Sequence, residues 1–194
     1  MPKGRAAAKA FLRSAGDFLW PPRRDRARAA LIHDETARRP VPGLKRAGRL
    51  DGLGTLCGWM RQAGGALIDD AEVAVPLHYR RLVVRGFNQS GWLAQAIGAE
   101  AGRKVVVDGL VRMRRTPSQA GLAGRARRRN VSGAFRVLKS RLAAIAATRL
   151  LLVDDVLTTG ATLSACTHAL KQAGARHVDV PGMARVVRET DVTI

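Results

Sequence analysis

The 194-residue sequence predicts an α/β fold, a parallel sheet flanked by helices with a mobile loop over one edge. Three observations carry that prediction. Apolar runs of strand length alternate with segments of helical period along the chain. The run at 149–153, Arg-Leu-Leu-Leu-Val, has no polar alternation, as a strand buried on both faces requires. The long stretch 112–132 is polar, basic and without apolar period, as a mobile loop would be.

The elements follow in order. Residues 1–27 stand apart as an Arg- and Ala-rich, poorly ordered segment broken at Pro21-Pro22, with a short amphipathic helix in "AAAKAFLRSAGDFLW". Residues 28–194 form the single domain. Residues 27–34 read as a strand. Residues 49–67 place Leu50, Leu53, Leu56, Cys57 and Met60 at helical spacing. A strand at 71–78 is stopped by Pro76, and a helix at 88–102 starts at a capping Asn88 and ends at Gly102. Strands are expected at 104–107, 133–137 and 149–153. A helix at 160–175 closes at Gly174, and a last strand at 177–187 carries Pro181, which suggests an edge or a bulge.

Composition limits the function. No segment approaches the roughly 18 to 20 uncharged apolar residues of a membrane span. Arg13 and Asp17 interrupt the N-terminal apolar residues, unlike a secretory leader, so a soluble cytoplasmic protein is expected. Cys57 and Cys166 lie far apart with no zinc-type spacing, which reads as two reduced thiols and no zinc. Lys and Arg number 34 against 15 acidic residues, a net charge of +19. That total fits a polyanion partner, and equally an Ala-, Gly- and Arg-rich coding bias. Distribution is more telling: residues 109–153 hold eleven Lys or Arg and no acid.

The chemistry concentrates in "RLLLVDDVLTTGATL", residues 149–163. A buried strand runs into a helix near Thr159. A helix N-terminus carries unpaired N–H groups and positive partial charge, so it suits phosphate. Gly160 lets backbone approach an anion, and Thr158, Thr159 and Thr162 add hydroxyls. Asp154 and Asp155, one and two residues past the strand, would repel a phosphate but suit the vicinal hydroxyls of a ribose, with Mg²⁺ nearby. The run reads as a ribose 5-phosphate clamp. It matches neither GxGxxG nor GxxxxGK[ST].

These residues resemble the phosphoribosyl pyrophosphate (PRPP) motif of type I phosphoribosyltransferases. The resemblance implies ribose contacts from Asp154 and Asp155 and 5-phosphate contacts from Thr158, Thr159, Gly160, Ala161 and Thr162. Upstream, "VPLHYRRLVVRGFNQSGWLA" (75–94) and "RRTPSQAGLAGRARRRNVSGAF" (114–135) are similar to two stretches of the ComF family, in the family's order. By that resemblance Pro76, Leu77 and His78 form a pyrophosphate loop, with Arg80, Arg81 and Arg85 as charge partners. Arg115, Thr116, Gln119, Arg125 and Asn130 match the second stretch and would belong to a hood that closes over PRPP. A basic arm for nucleic acid is the competing reading of that stretch, and a plain disordered segment the third. The cysteine-rich zinc ribbon that usually begins ComF proteins is missing between "FLWPPR" and "RDRARAAL".

Three functions are therefore open. The first is a Mg²⁺-dependent transferase of ribose 5-phosphate from PRPP to an acceptor that the sequence does not name. The second is a non-catalytic factor of DNA uptake that binds single-stranded DNA and keeps the PRPP-site fold. The third is a truncated, non-functional relative.

Overall fold

The computed structural model describes residues 27–32, 53–69, 72–77, 88–114, 116–117, 124–157 and 160–185. The elements are β1 (Ala27–Ile32), α1 (Leu53–Gly64), α2 (Ala66–Asp69), β2 (Glu72–Leu77), α3 (Gln89–Ala101) and β3 (Val105–Arg112). They continue with α4 (Gly124–Val131), β4 (Phe135–Val137), a 3-10 turn (Lys139–Arg141), α5 (Leu142–Ile145), β5 (Arg149–Leu152), β6 (Asp154–Leu157), α6 (Ala161–Gln172) and β7 (His177–Arg185). The sheet order is β1-β7-β5-β2-β3-β4, with β6 beside β7. All pairings are parallel except that of β4 with β3. The α/β class and the parallel sheet are as the sequence predicts.

Strand β5 is the hinge between two cores. Leu150 and Leu152 pack on one face with Leu163, Cys166 and Leu170 of α6. Leu151 and Val153 pack on the other with Leu56 and Met60 of α1 and Leu93 and Ile97 of α3. All four strand residues are 1% exposed or less. A strand covered by helices on both sides has no polar position to spare, which is why its sequence lacks alternation.

Helix α3 starts as the sequence predicts. The Asn88 side chain accepts a hydrogen bond from the Gly91 N–H at 3.1 Å, and Gly102 ends the helix at φ 65°. Gly98 is needed for close packing: a Cβ there would lie 2.3 Å from Val105 Cγ2 on β3.

Several boundaries differ from the sequence reading. The 49–67 helix divides at Gly65 into α1 and α2. Pro76 does not stop β2; it lies within the strand, which absorbs it by a register shift between Ala74 and Pro76. Strand β3 runs to Arg112, because pairing with β2 and β4 carries it past the polar Asp108 and Gly109. The stretch 112–132 is not a loop throughout: Gly124–Val131 is the helix α4. Pro181 is not at an edge, since β7 lies between β1 and β5–β6. The pairs Arg149–His177 and Asp154–Gly182 share one offset, which sets Val153 opposite Pro181. The ladder breaks there, where proline has no N–H to donate. The expected helix within residues 6–20 lies outside the described residues.

Candidate functional site

Because the strands are parallel, β2, β3, β6 and β7 end at one edge of the sheet, and α3 and α6 begin there. In sheets of this kind ligands bind at that edge. The structure corrects the placement of the acid pair. Asp154 and Asp155 do not follow the strand; they open its second half, β6, paired to β7 at Gly182. The missing rung at Pro181 explains why a strand that looks finished at Val153 resumes.

Asp154 is half-buried, and its Oδ1 accepts a hydrogen bond from Ser90 Oγ at 3.4 Å. Ser90 lies in the first turn of α3, just after the "RGFNQ" run. That bond joins two motifs 64 residues apart in the chain. Beneath them Cys166 is fully buried; burial first, then the Asp154 charge, pushes its thiol well up, while Arg112 opposes the shift. The thiol therefore stays protonated and serves as packing, not as a nucleophile. Cys57 is also buried, on the opposite face of the sheet, its thiol pushed up to about 11 by burial and Glu100.

The phosphate half of the clamp is described from Gly160 onward. Gly160 is buried, caps α6 at φ 62°, and accepts the Ser164 N–H at 2.8 Å. Only glycine takes that conformation without strain. Ala161 and Thr162 form the first turn of α6, with Ala161 3% exposed. Pro76 and Leu77 lie at the end of β2. Thr158, Thr159, His78, Arg80, Arg81, Arg85, Arg115 and Gln119 lie outside the described residues.

The hood stretch is fastened to itself. Arg112, at the end of β3, donates through Nη2 to Thr116 Oγ1, and its guanidinium lies 5.2 Å from the Phe135 ring centre. Arg114 Nη2 donates to the carbonyls of Asn130 and Ser132, both at 3.0 Å. Asn130 Nδ2 donates to the Pro117 carbonyl at 3.1 Å. Thr116 and Asn130, two of the residues that match the second ComF stretch, thus tie that stretch to itself. Arg125 is exposed on α4. Ser90 and Arg112 were not singled out from the sequence, and Ser90 could have been noticed as a first-turn residue behind a capping Asn.

Among the described residues no three His, Cys, Asp or Glu come together to hold a metal. A lone carboxylate such as Asp154 still suits Mg²⁺, which commonly takes one or two carboxylates and completes its shell with water and substrate phosphate.

Comparison with known proteins adds two kinds of similarity. No protein-family model matches the chain. The chain is 35% identical to DNA utilization protein YhgH of Salmonella typhimurium over 127 residues, 66% of this chain and 54% of that protein. It is 33% identical to competence protein F of Haemophilus influenzae over 118 residues, 61% and 51% of the two chains. Over that span the chain is similar to both proteins. It spans about half the length of the curated relatives it matches. Among solved structures, adenine phosphoribosyltransferase of Saccharomyces cerevisiae aligns over 94% of this chain and 89% of its own at 13% identity and a TM-score of 0.46. Orotate phosphoribosyltransferase of Aeropyrum pernix aligns over 94% and 92% at 15% identity and a TM-score of 0.42. Among the described residues no helix is long and apolar enough to cross a membrane.

Proposed function

We propose that this ComF relative binds PRPP with Mg²⁺ at the C-terminal edge of its sheet and passes ribose 5-phosphate to an acceptor in the cytoplasm. The observation that carries the reading is the Asp154 carboxylate, on the strand that runs into α6, held by Ser90 from the start of α3. Asp154 and Asp155 would accept hydrogen bonds from the ribose hydroxyls. The first turn of α6, with Gly160 at its cap, would hold the 5-phosphate at the positive end of the helix dipole. Pro76, Leu77, His78 and the arginines at 80, 81 and 85 would take the pyrophosphate.

The nucleophile's electron pair forms the bond to the anomeric carbon as the bond from that carbon to the pyrophosphate oxygen breaks. Pyrophosphate leaves with the electrons of the broken bond. Bound Mg²⁺ supplies charge neutralisation on the leaving phosphates. The hood would keep water from the ribosyl centre.

Calorimetry with PRPP and Mg²⁺ tests the reading. Saturable binding is expected, lost in Asp154→Asn and weakened about tenfold or less in Ser90→Ala, which removes one hydrogen bond. Absence of binding to the unmodified protein overturns it. A second reading, a factor of DNA uptake that binds single-stranded DNA, is favoured by one observation: Arg125, Arg128 and Arg129 are exposed on α4, inside a stretch with no acid. Its test is an affinity for single strands that falls steeply with salt.

A further inference from the structure

Strand β4 ends the described sheet, antiparallel to β3, and no described strand pairs with its other side. The direction of its backbone groups can be read. The Met113 N–H donates to the Ala134 carbonyl at 2.9 Å, and the Leu138 N–H donates to the Gly109 carbonyl at 3.3 Å. With Val111 opposite Arg136, residues 134, 136 and 138 are those that bond toward β3. Backbone groups alternate in direction along an antiparallel ladder. The N–H and C=O of Phe135 and Val137 therefore point outward, to the sheet edge.

A trough lies along that edge. Two cavities of about 310 and 290 Å³ share Gly133, Phe135, Ala169 and Gln172 and so form one depression between β4 and the outer flank of α6. Its lining is mixed, with Val137 and Leu142, the latter 40% exposed, beside Gln172, Ser164 and His168. Its rim carries Arg128 and Arg136, both exposed.

We propose that this edge docks an extended, acidic segment of a partner protein, which adds as a strand beside β4. Outward N–H and C=O groups in alternation match another backbone in extended form. One set of alternate side chains of such a strand would cover the trough on the face of Phe135 and Val137, and the other set, the carboxylates, would meet Arg136 on the opposite face. A second copy of this chain fits poorly. Two-fold pairing of β4 would set Arg136 directly against its own image, a destabilising like-charge pair. Nucleic acid is the competing occupant: Phe135 is 8% exposed and covered by Arg112, which leaves His168 as the one exposed ring among the described lining residues, and the oligothymidine arm of the test addresses it.

The test titrates the full chain by fluorescence anisotropy with four labelled probes. They are a short acetylated peptide alternating Glu and Val, a Lys–Val counterpart, the Glu–Val peptide N-methylated on alternate amides, and single-stranded oligothymidine. Amide hydrogen exchange is followed at Phe135 and Val137. The Glu–Val peptide is expected to bind at least about tenfold more tightly than either other peptide, and to slow exchange at both amides. Arg136→Glu should reverse the charge preference and keep the sensitivity to N-methylation. Equal binding of the N-methylated peptide, or no slowing at Phe135 and Val137, overturns the proposal. So does slowing of those amides by oligothymidine alone, or by concentration-dependent dimers of the chain.

Discussion

Residues 149–172 and residues 108–141 both reach the C-terminal edge of the sheet, and different forces hold them there. In the first, Leu150, Leu151, Leu152 and Val153 are sealed between two helical layers, and the Asp154–Ser90 bond is added at the end of a strand already fixed. In the second, Leu110, Val131 and Ala134 are buried in the same core, and the difference lies further out, where Arg114, Asn130 and the Asp108–Arg141 pair tie exposed backbone and side chains together at the surface. Apolar burial is indifferent to salt and to pH near neutrality. Exposed polar ties are individually weak and open locally. The carboxylate proposed to read the ribose thus sits at the head of β6, directly beyond the sealed run, and the stretch proposed to close over it sits where surface ties can loosen without unfolding the core.

The contrast can be broken at its strongest point. Leu151→Ala should cost about 2–5 kcal/mol in urea unfolding, through lost burial and the cavity left between the layers. Arg114→Ala should act on the other region alone. Amide exchange at residues 113, 114 and 116 should quicken by an amount equivalent to about 1–2 kcal/mol, while the global midpoint stays nearly fixed. A large shift of that midpoint would erase the distinction. Thr167 sharpens it within the rigid region. Its hydroxyl is fully buried without a hydrogen-bond partner, so Thr167→Val should be neutral or stabilising by up to about 1 kcal/mol, seen as a raised unfolding midpoint.

The smallest effect belongs to Asp108. The hydrogen bond from Arg141, at 2.6 Å, is the main reason its carboxyl titrates below the ordinary 3.8. A carboxylate lowered on folding contributes stability above its unfolded value and loses it as pH falls through the folded value. A slight loss of stability is expected below about pH 4, screened by salt and absent in Arg141→Ala, when melts near pH 5 and near pH 3 are compared.

Much of the rigid region was legible in the sequence because local and tertiary preferences agree there. Four consecutive apolar residues admit one environment, and Asn88 caps a helix by its own chemistry. The acid pair was legible as a motif but not as part of a strand. Whether residues 154–157 pair depends on β7, 28 positions further on, and on pairing that stops after Leu151–Asp179 and resumes past Pro181. Helix α4 was illegible because "GRARRRNV" carries almost no apolar stripe; its C-terminal end is held by Arg114 and Asn130 reaching carbonyls, which no periodicity records. Pro181 misled for a similar reason. Proline forbids one donor, and a central strand tolerates that when its neighbour simply skips a bond.

The skipped bond at Val153 has a kinetic meaning. Cooperative opening of a ladder propagates from rung to rung, and a gap is where propagation stops. The four residues beyond the gap can unzip and rezip from β7 while the four before it stay closed. Amides at 150–152 should then exchange only with whole-molecule unfolding, and those at 154–157 on a faster clock of their own. A ligand that fastens Asp154 would bring the two clocks together.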